Sequence, residues 1–217
     1  MFQVTKNEPK FFIDTKRKVE KPNENSAWSD ENIKIIRSKL ASYILDEQNG
    51  LCIYCEKIVE DYPNDCHIDH FRKKDSNFFP NETLNYHNLL ISCNSENRCA
   101  KYKDKHISKE DYKKFIDPVI ENPEEFLEYT LFGELEPKED LNKSDAEKAR
   151  FTIDILNLND RSLVEERKNV IVSLCYLIDE LTSLEQIIVS GFKNFLTLSR
   201  WILDYKVVCK QIEGAYV

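Results

Sequence analysis

The sequence predicts an α+β fold, with helical segments on both sides of a central segment of short strands and turns. Apolar residues recur at helical spacing before residue 50 and beyond Ser144, whereas residues 51–99 are predicted to form short strands and turns around five of the seven cysteines. Glycine is scarce, at 4 of 217 residues, which disfavours a turn-rich sandwich or barrel. Apolar residues make up 41% of the chain and charged residues 32%, so we expect a globular core.

The N-terminal region is predicted to be an arm followed by one helix. Residues 1–28 contain prolines and polar runs and are expected to be irregular. A helix is predicted over 30–48, with Ser29 as its N-cap and Gly50 as its stop. Its apolar positions are Ile33, Ile36, Leu40 and Ile44.

The C-terminal half is predicted to be mostly helical. A helical pattern resumes near residue 100 and ends at Asp117-Pro118, because the residue before a proline avoids the helical region. A strand pair is expected over 126–136, turning near Gly133. Further helices are predicted over 144–156, 161–181 and 183–212.

The charges are unevenly distributed along the chain. The net charge is −8, and residues 117–217 account for −9, whereas residues 98–116 hold seven Lys or Arg against three Asp or Glu. We therefore expect a basic patch beside the cysteine-rich segment, but weak nucleic-acid affinity of the isolated chain. No apolar run reaches the roughly 18–20 residues of a membrane span, and the N-terminus lacks the pattern of a signal peptide. An odd number of cysteines in such a chain favours reduced thiols or metal ligands, and we expect a cytoplasmic protein.

Four cysteines have the spacing of a structural zinc site. Cys52 and Cys55 form a C-x2-C knuckle, and Cys93 and Cys99 form a longer one with five residues between them. Two such pairs can grip one tetrahedral metal ion. A lone C-x2-C pair is also compatible with a redox site or with two buried thiols, but the βαβ context of a redox site is absent.

An Asp-His dipeptide lies between the two knuckles. Asp69 is a hard oxygen ligand suited to Mg²⁺ or Mn²⁺, and the neighbouring His70 can take a proton from water near neutral pH. Phosphodiester hydrolysis uses both functions. The alternative is a surface histidine beside an acidic partner, which is the commoner context of an isolated Asp-His pair.

The order of these motifs resembles the HNH endonucleases with a ββα-metal site. The order is C-x2-C, Asp69-His70, Asn88-Leu-Leu, two cysteines and a Lys-rich segment. The resemblance implies a zinc-stapled ββα-metal core, with an N-terminal helix before it and a helical region after it. It also implies that Asp69 binds the catalytic Mg²⁺ or Mn²⁺, that His70 is the general base, and that Asn88 braces the loop holding His70.

One position departs from the family pattern. The residue that completes the metal site usually follows the last zinc cysteine, and here this residue is Ala100, which cannot bind a metal. Asp104 lies one helical turn further on and is our substitute ligand, ahead of His106 and Asn97.

The resemblance also implies a set of phosphate contacts. Lys103 occupies a position at which the family often has a lysine near the scissile phosphate, so the resemblance implies that it is a catalytic residue. We expect Lys103 and Lys105 to point to other helix faces than Asp104. Further contacts to nucleic acid are expected from Arg72, Lys73, Lys74 and Lys101.

Weaker motifs outside the core point to one subfamily. Leu45–Gly50, Ile116–Pro118, Gly133 and Ile155–Asn159 occur in an order similar to that of the PtuB-like HNH endonucleases of Septu and retron-type antiphage systems. The resemblance implies a nuclease subunit that works with a PtuA-like ATPase on nucleic acid, with DNA favoured over RNA. We accordingly divide the chain into an arm (1–28), an HNH nuclease core with the zinc site (29–116) and a mostly helical region for partner docking (117–217).

Two other functions remain open at this point. The chain could be a zinc-knuckle adaptor, a binding module whose degraded HNH site does no chemistry. It could also be a purely structural zinc protein in which the Asp-His pair is incidental. The remaining cysteines, Cys66, Cys175 and Cys209, are expected to be buried core residues.

Overall fold

The computed structural model describes residues 1–177, 183–189, 191 and 193–204 and shows helices with two small antiparallel sheets. The predicted mixture of helices and short strands is therefore confirmed. In chain order the elements are α1 (Lys10–Lys16), α2 (Glu31–Glu47), β1 (Cys66–His70), β2 (Leu89–Cys93), α3 (Cys99–His106), β3 (Leu127–Tyr129), β4 (Leu135–Pro137), α4 (Lys143–Ile155), α5 (Arg161–Leu177) and α6 (Leu184–Val189).

The sheet of β1 and β2 and the helix α3 form the centre of the cysteine-rich segment. The two strands are antiparallel, with Cys66 opposite Cys93 and His70 opposite Leu89. All five residues of β2 are buried, because α2 and α3 both pack against this strand. The sheet therefore carries two cysteines, Cys66 and Cys93, at one end and the Asp-His pair at the other.

Helix α2 confirms the prediction from apolar periodicity. Ile33, Leu40 and Ile44 are fully buried along one face. The N-cap is Asp30 rather than the expected Ser29, since the Asp30 carboxylate accepts a hydrogen bond from the Asn32 amide at 2.8 Å. Ser29 instead ends a preceding 3-10 turn, which shifts the helix start by one residue.

The expected irregular arm is more ordered than predicted. It contains α1, which packs against α2, and its residues Val4 and Phe12 are buried in the common core. The Val4 amide donates a hydrogen bond to the Pro118 carbonyl at 2.9 Å. Irregular spacing hid these apolar residues from a periodicity argument, but their burial ties the arm to the rest of the chain.

The C-terminal half confirms the hairpin and α4, whereas the last predicted helix is interrupted. β3 and β4 pair around Gly133, and α5 begins at residue 161, as predicted. Residues 178–181 of this predicted helix lie outside the described residues. Within 183–212 the helix α6 ends at Val189, Gly191 and Phe195 have positive φ angles, and residues 196–204 are helical again. Residues 205–212 lie outside the described residues.

The two other cysteines of this half differ from the expected core positions. Cys175 is exposed, because it lies on the outer side of α5, and Cys209 lies outside the described residues. Cys66 is fully buried, as expected. None of the helices in the described ranges is long and apolar enough to cross a membrane.

Replacing Gly133 by alanine is expected to destabilise the protein more than the same change at Gly50. A Cβ at Gly133 would lie 2.5 Å from the Val164 carbonyl oxygen and 3.0 Å from the Lys168 amide nitrogen, whereas one at Gly50 would meet no atom within 4 Å. Both glycines have positive φ, so both variants carry the strain of about 1–2 kcal/mol of a left-handed side chain. The clash should add about 1–3 kcal/mol to the loss at Gly133, measured by urea unfolding. Equal losses would contradict this packing of the hairpin on α5.

Candidate active site and metal centre

Four cysteine side chains converge on one buried point. The ligand atoms of Cys52, Cys55, Cys93 and Cys99 all lie within 4.8 Å of one another. The sulfur atoms of Cys52 and Cys99 are 3.8 Å apart, and so are those of Cys55 and Cys93. In a tetrahedral zinc site with Zn–S bonds of about 2.3 Å, neighbouring sulfur atoms are about 3.8 Å apart. The cluster therefore has the size and the donor set of a structural zinc site.

Backbone contacts hold the two knuckles in place. The Cys52 amide donates to the Lys57 carbonyl and the Glu56 amide donates to the Cys52 carbonyl, which closes the first knuckle. Glu56 and Cys99 both have a φ of about +60°, so the chain turns sharply after one knuckle and at the end of the other. The Cys99 amide donates to the Leu156 carbonyl at 2.8 Å, which connects the start of α3 to the end of α4.

A guanidinium group lies beside the thiols. Arg98 donates hydrogen bonds to Asp160 and Ser162, and its side chain is only 12% exposed. Burial would lower the pKa of Arg98, but the sulfur atoms of the cluster outweigh this effect and raise it. A positive charge at this position favours thiolates, the form that binds zinc, and opposes the burial that raises the pKa of Cys99.

The buried carboxylate of Glu56 joins the first knuckle to the C-terminal region. It accepts hydrogen bonds from the Thr197 amide at 2.9 Å and from the hydroxyl groups of Thr197 and Tyr129, and it contacts the amino group of Met1. Burial would raise the pKa of Glu56, but the charge of the amino group and these hydrogen bonds lower it. The Phe195 amide also donates to the Glu56 carbonyl at 3.0 Å.

The carboxylate of Asp69 is buried and fully engaged. Tyr54, inside the first knuckle, donates its hydroxyl proton to Asp69 Oδ2 at 2.5 Å. Lys103 Nζ contacts Asp69 Oδ2 at 2.8 Å and Oδ1 at 3.1 Å. Burial alone would raise the pKa of Asp69, but the adjacent ammonium group holds it below its usual value.

The ammonium group of Lys103 is surrounded by five oxygen atoms. Besides the two of Asp69, the carbonyl oxygens of His70 and Phe71 lie at 3.1 and 3.0 Å, and Asp104 Oδ1 lies at 3.4 Å. The side chain of Lys103 has no exposed surface. Burial would lower the pKa of Lys103, but the carboxylates outweigh it and raise the pKa.

The expectation that Lys103 points away from the Asp104 pocket is wrong. Cys99 must face the thiol cluster, and Lys103, four residues later in α3, shares that inward face. Lys105 is exposed and pairs with Glu96 at 2.8 Å.

The five oxygen atoms around Lys103 Nζ form an oxygen cage, and the side chain of Asp104 lies at its rim. It is 42% exposed, yet its Oδ1 atom is buried and makes no hydrogen bond within the described part of the chain. Its partial burial raises the pKa of Asp104. The structure thus brings Asp69 and Asp104 to the same ammonium group. The other two candidates, His106 and Asn97, are exposed. The His106 Nδ1 atom lies 2.7 Å from the Tyr102 carbonyl oxygen, and the Asn97 carbonyl accepts a hydrogen bond from Asn157.

His70 is held by a backbone carbonyl and an indole ring. Its Nε2 atom lies 3.0 Å from the Thr83 carbonyl oxygen, which can only accept a proton, so we assign the hydrogen to Nε2 and the lone pair to Nδ1. The ring of Trp28 meets the imidazole edge to face, with centroids 4.7 Å apart. Burial, followed by the nearby Lys74 ammonium group, lowers the pKa of His70 to about 3. The imidazole is therefore neutral near pH 7, and so low a pKa makes it a weaker proton acceptor than a free imidazole.

The side chain of Asn88 bridges two parts of the loop between β1 and β2. Its Oδ1 accepts from the Arg72 amide at 2.7 Å, and its Nδ2 donates to the carbonyl oxygens of Arg72 and Glu82. The Phe71 amide donates to the Asn88 carbonyl, which extends the strand pairing by one step. These contacts fix the backbone on both sides of the segment that contains Thr83.

The side chains predicted to bind phosphate lie around this site and differ in their contacts and burial. Lys73 Nζ donates to the Asp104 carbonyl at 2.9 Å, and the Arg72 guanidinium lies over the Phe79 ring. Lys74 is half-buried near His70. Lys101 forms an ion pair with Glu96 at 2.8 Å.

The four thiols and the oxygen atoms around Lys103 Nζ suit different metal ions. Among the described residues, the thiol cluster is the one group of three or more His, Cys, Asp or Glu side chains close enough to share an ion. The two carboxylates and two carbonyls around Lys103 Nζ are hard oxygen ligands, which suit Mg²⁺ or Mn²⁺. Their chemistry fits such an ion, although a lysine ammonium group is placed among them.

Among the side chains that contact Asp69, Tyr54 was not predicted from the sequence, and Lys103 was predicted with the wrong direction. Tyr54 lies inside the first knuckle, next to the predicted ligand Cys55. Lys103 points inward because it lies four residues after Cys99, which faces the thiol cluster. This spacing can be seen in the sequence.

Two curated proteins are similar to this chain. It is 31% identical over 137 residues to the Septu protein PtuB of Bacillus thuringiensis, a match that covers 63% of this chain and 45% of that protein. It is also 31% identical over 150 residues to the "Retron Vc95 putative HNH endonuclease" of Vibrio cholerae serotype O1 biovar El Tor, which covers 67% of each. The chain thus spans less than half of the first relative and two thirds of the second. No family model matches it.

Replacing Cys52 by serine is expected to remove the bound metal and unfold the core, whereas Cys66→Ser should do neither. Both cysteines are fully buried, but only Cys52 belongs to the cluster. Metal analysis should find about one zinc per chain in the parent and in Cys66→Ser. Circular dichroism and thermal melting report the fold. A folded Cys52→Ser variant that keeps its zinc, or a parent with no metal and a Cys52–Cys55 disulfide, would rule out this site.

Proposed function

Because this chain belongs to the PtuB-like family of Septu- and retron-associated proteins, we propose that it is a metal-dependent HNH endonuclease that hydrolyses phosphodiester bonds of nucleic acid. The observation that carries the proposal is the arrangement at the end of β1. There Asp69 and His70 are adjacent, the His70 tautomer leaves Nδ1 as the proton acceptor, and Asn88 fixes the loop around them.

The proposed core is the ββα-metal fold of HNH enzymes. Its elements are β1, β2 and α3, and the four cysteines would bind a structural zinc ion that joins the first knuckle to the end of β2 and the start of α3. A two-stranded sheet is marginally stable in water on its own. The zinc would supply the missing stability, which agrees with the burial of all four thiols.

Each residue has a separate role in the proposed hydrolysis. His70 Nδ1 accepts the proton of the attacking water, and the Thr83 carbonyl keeps the imidazole oriented. Asp69 and Asp104 would hold Mg²⁺ or Mn²⁺, which when bound neutralises charge on the phosphate oxygens. Asn88 braces the loop, and Arg72, Lys73, Lys74 and Lys101 would contact phosphates along the strand.

The substrate and the partner are proposed from charge and from the family. The acidic net charge predicts weak binding of nucleic acid by the isolated chain, so a partner should supply part of the affinity. We propose that this partner is a PtuA-like ATPase in an antiphage system, that it docks on the C-terminal region, and that the substrate is DNA rather than RNA. None of the six described cysteines forms a disulfide, which agrees with a reducing cytoplasm.

One observation favours a second candidate, a zinc-knuckle adaptor with a degraded site. Ala100 is fully buried where a metal ligand is expected, and Asp69 is engaged by Lys103 and Tyr54. Cleavage of plasmid DNA and of RNA, with and without the ATPase and divalent metal, separates the two functions. Activity that appears only after Ala100→Asn would support the adaptor.

Replacing His70 by alanine should abolish cleavage and leave zinc and fold intact. The water then lacks its proton acceptor, and loss of a general base typically costs about 10²–10⁴-fold in rate. His87→Ala is the matched control, because His87 is an exposed histidine on the same loop. Rates of plasmid cleavage are compared after zinc content and melting temperature are shown to be equal. Undiminished cleavage by the His70→Ala variant would contradict the proposal.

Replacing Asp104 by alanine should raise the Mg²⁺ concentration needed for half-maximal cleavage while zinc content stays the same. The reason is that Asp104 supplies one of the two carboxylates near the ammonium group of Lys103, whereas the thiol cluster lies elsewhere. Asp111→Ala serves as the control, because its carboxylate bonds to Ser108 and Lys114. An unchanged Mg²⁺ requirement would exclude Asp104 as the substitute for the ligand missing at Ala100.

A further inference from the structure

The oxygen cage around Lys103 has more acceptors than its occupant can use. An ammonium group has three N–H donors. Here five oxygen atoms lie between 2.8 and 3.4 Å from Lys103 Nζ, and the most distant of them, Asp104 Oδ1, is buried without a hydrogen bond. Five or six oxygen ligands suit a divalent cation better than an ammonium group.

We propose that Lys103 is a tethered cation that holds the place of the catalytic divalent ion, and that this ion must displace Lys103 Nζ in order to bind. Lys103 thereby sets the metal affinity of the site. The inference rests on the proposed function for the identity of the ion. It follows from the geometry alone that Lys103 and any cation bound by Asp69 compete for the same oxygens.

The side chain of Lys103 can leave the oxygen cage while the helix backbone stays in place. The backbone of α3 is fixed by Cys99 at its first turn, so Lys103 cannot leave by a movement of the helix. Its four-carbon stem is flexible, however, and Asp104 at the half-exposed rim marks the side on which the cage meets solvent. An ammonium group that moves towards this rim stays beside the carboxylates.

The exchange explains how a fully buried lysine can also contact substrate. In the cage, Lys103 Nζ has no exposed surface and cannot reach a phosphate. Once displaced, it lies at the rim next to the bound ion, where it adds a positive charge near the phosphate oxygens. Lys73, which donates to the Asp104 carbonyl, lies on the same side.

Binding of Mn²⁺ to the isolated zinc-loaded chain tests the competition. Lys103→Met removes the tethered charge and should bind Mn²⁺ at least about tenfold more tightly than the parent, measured by electron paramagnetic resonance of free Mn²⁺. Without added metal its melting temperature should fall, because Asp69 is then buried without a counter-charge, and Mn²⁺ should restore it. Lys105→Met, the same change at an exposed site of α3, should behave as the parent. Equal Mn²⁺ affinities of Lys103→Met and the parent would overturn the proposal.

Lysine footprinting on the parent chain gives a second test that needs no variant. Acetylation followed by mass spectrometry should leave Lys103 unmodified without divalent metal and modify it in saturating Mg²⁺, whereas Lys105 reacts equally in both. A Lys103 that stays protected at saturating Mg²⁺ would overturn the proposal even if Lys103→Met fails to fold. These readouts do not depend on cleavage. A chain that releases Lys103 but cleaves neither DNA nor RNA in the presence of the ATPase refutes the nuclease and keeps the exchange. A chain that cleaves while Lys103 stays protected does the reverse.

Discussion

The convergence of four thiols on one buried point is the constraint on which the rest of the molecule depends. It joins the segment after α2, the end of β2 and the start of α3. Neither a two-stranded sheet nor an eight-residue helix is stable alone in water. By fixing Cys99, the cluster also fixes the rotation of α3, and this rotation directs Lys103 into the cage of Asp69. The thiol cluster and the candidate catalytic centre therefore lie at the two ends of one face of α3.

The ion pair of Asp69 and Lys103 neutralises a carboxylate that the fold buries. A buried carboxylate needs such a counter-charge. The lysine supplies this charge from within the chain, and Tyr54 satisfies a further lone pair. Asp69 can thus be buried in its ionised form with a counter-charge from the same chain. Both oxygen atoms of the Asp69 carboxylate are therefore already engaged in hydrogen bonds.

The sequence predicted those features that arise from local spacing. Helix α2, the hairpin at Gly133 and the four-cysteine cluster each follow from periodicity, from a turn residue or from paired knuckles. The features that it missed depend on tertiary contacts. Phe12 is buried because α1 meets α2, and the break before residue 196 coincides with a positive φ at Phe195, whose amide bonds to Glu56. The partner of Asp69 is likewise set by the rotation of α3. The roles of His70, Asn88 and Asp104 stay predictions, because geometry alone does not measure chemistry.

Glu56 gives the molecule a mechanical property beyond its local hydrogen bonds. Its carboxylate and carbonyl accept hydrogen bonds from Thr197 and Phe195, while its amide closes the first cysteine knuckle. The Ile58 amide adds a bond to the Asn194 side chain. Residues 194–197 are therefore attached to the same few atoms that shape the metal centre. We expect residues 194–204 and the segment with the thiol cluster to open as one cooperative unit, so that amide protons in both exchange with solvent at a common rate.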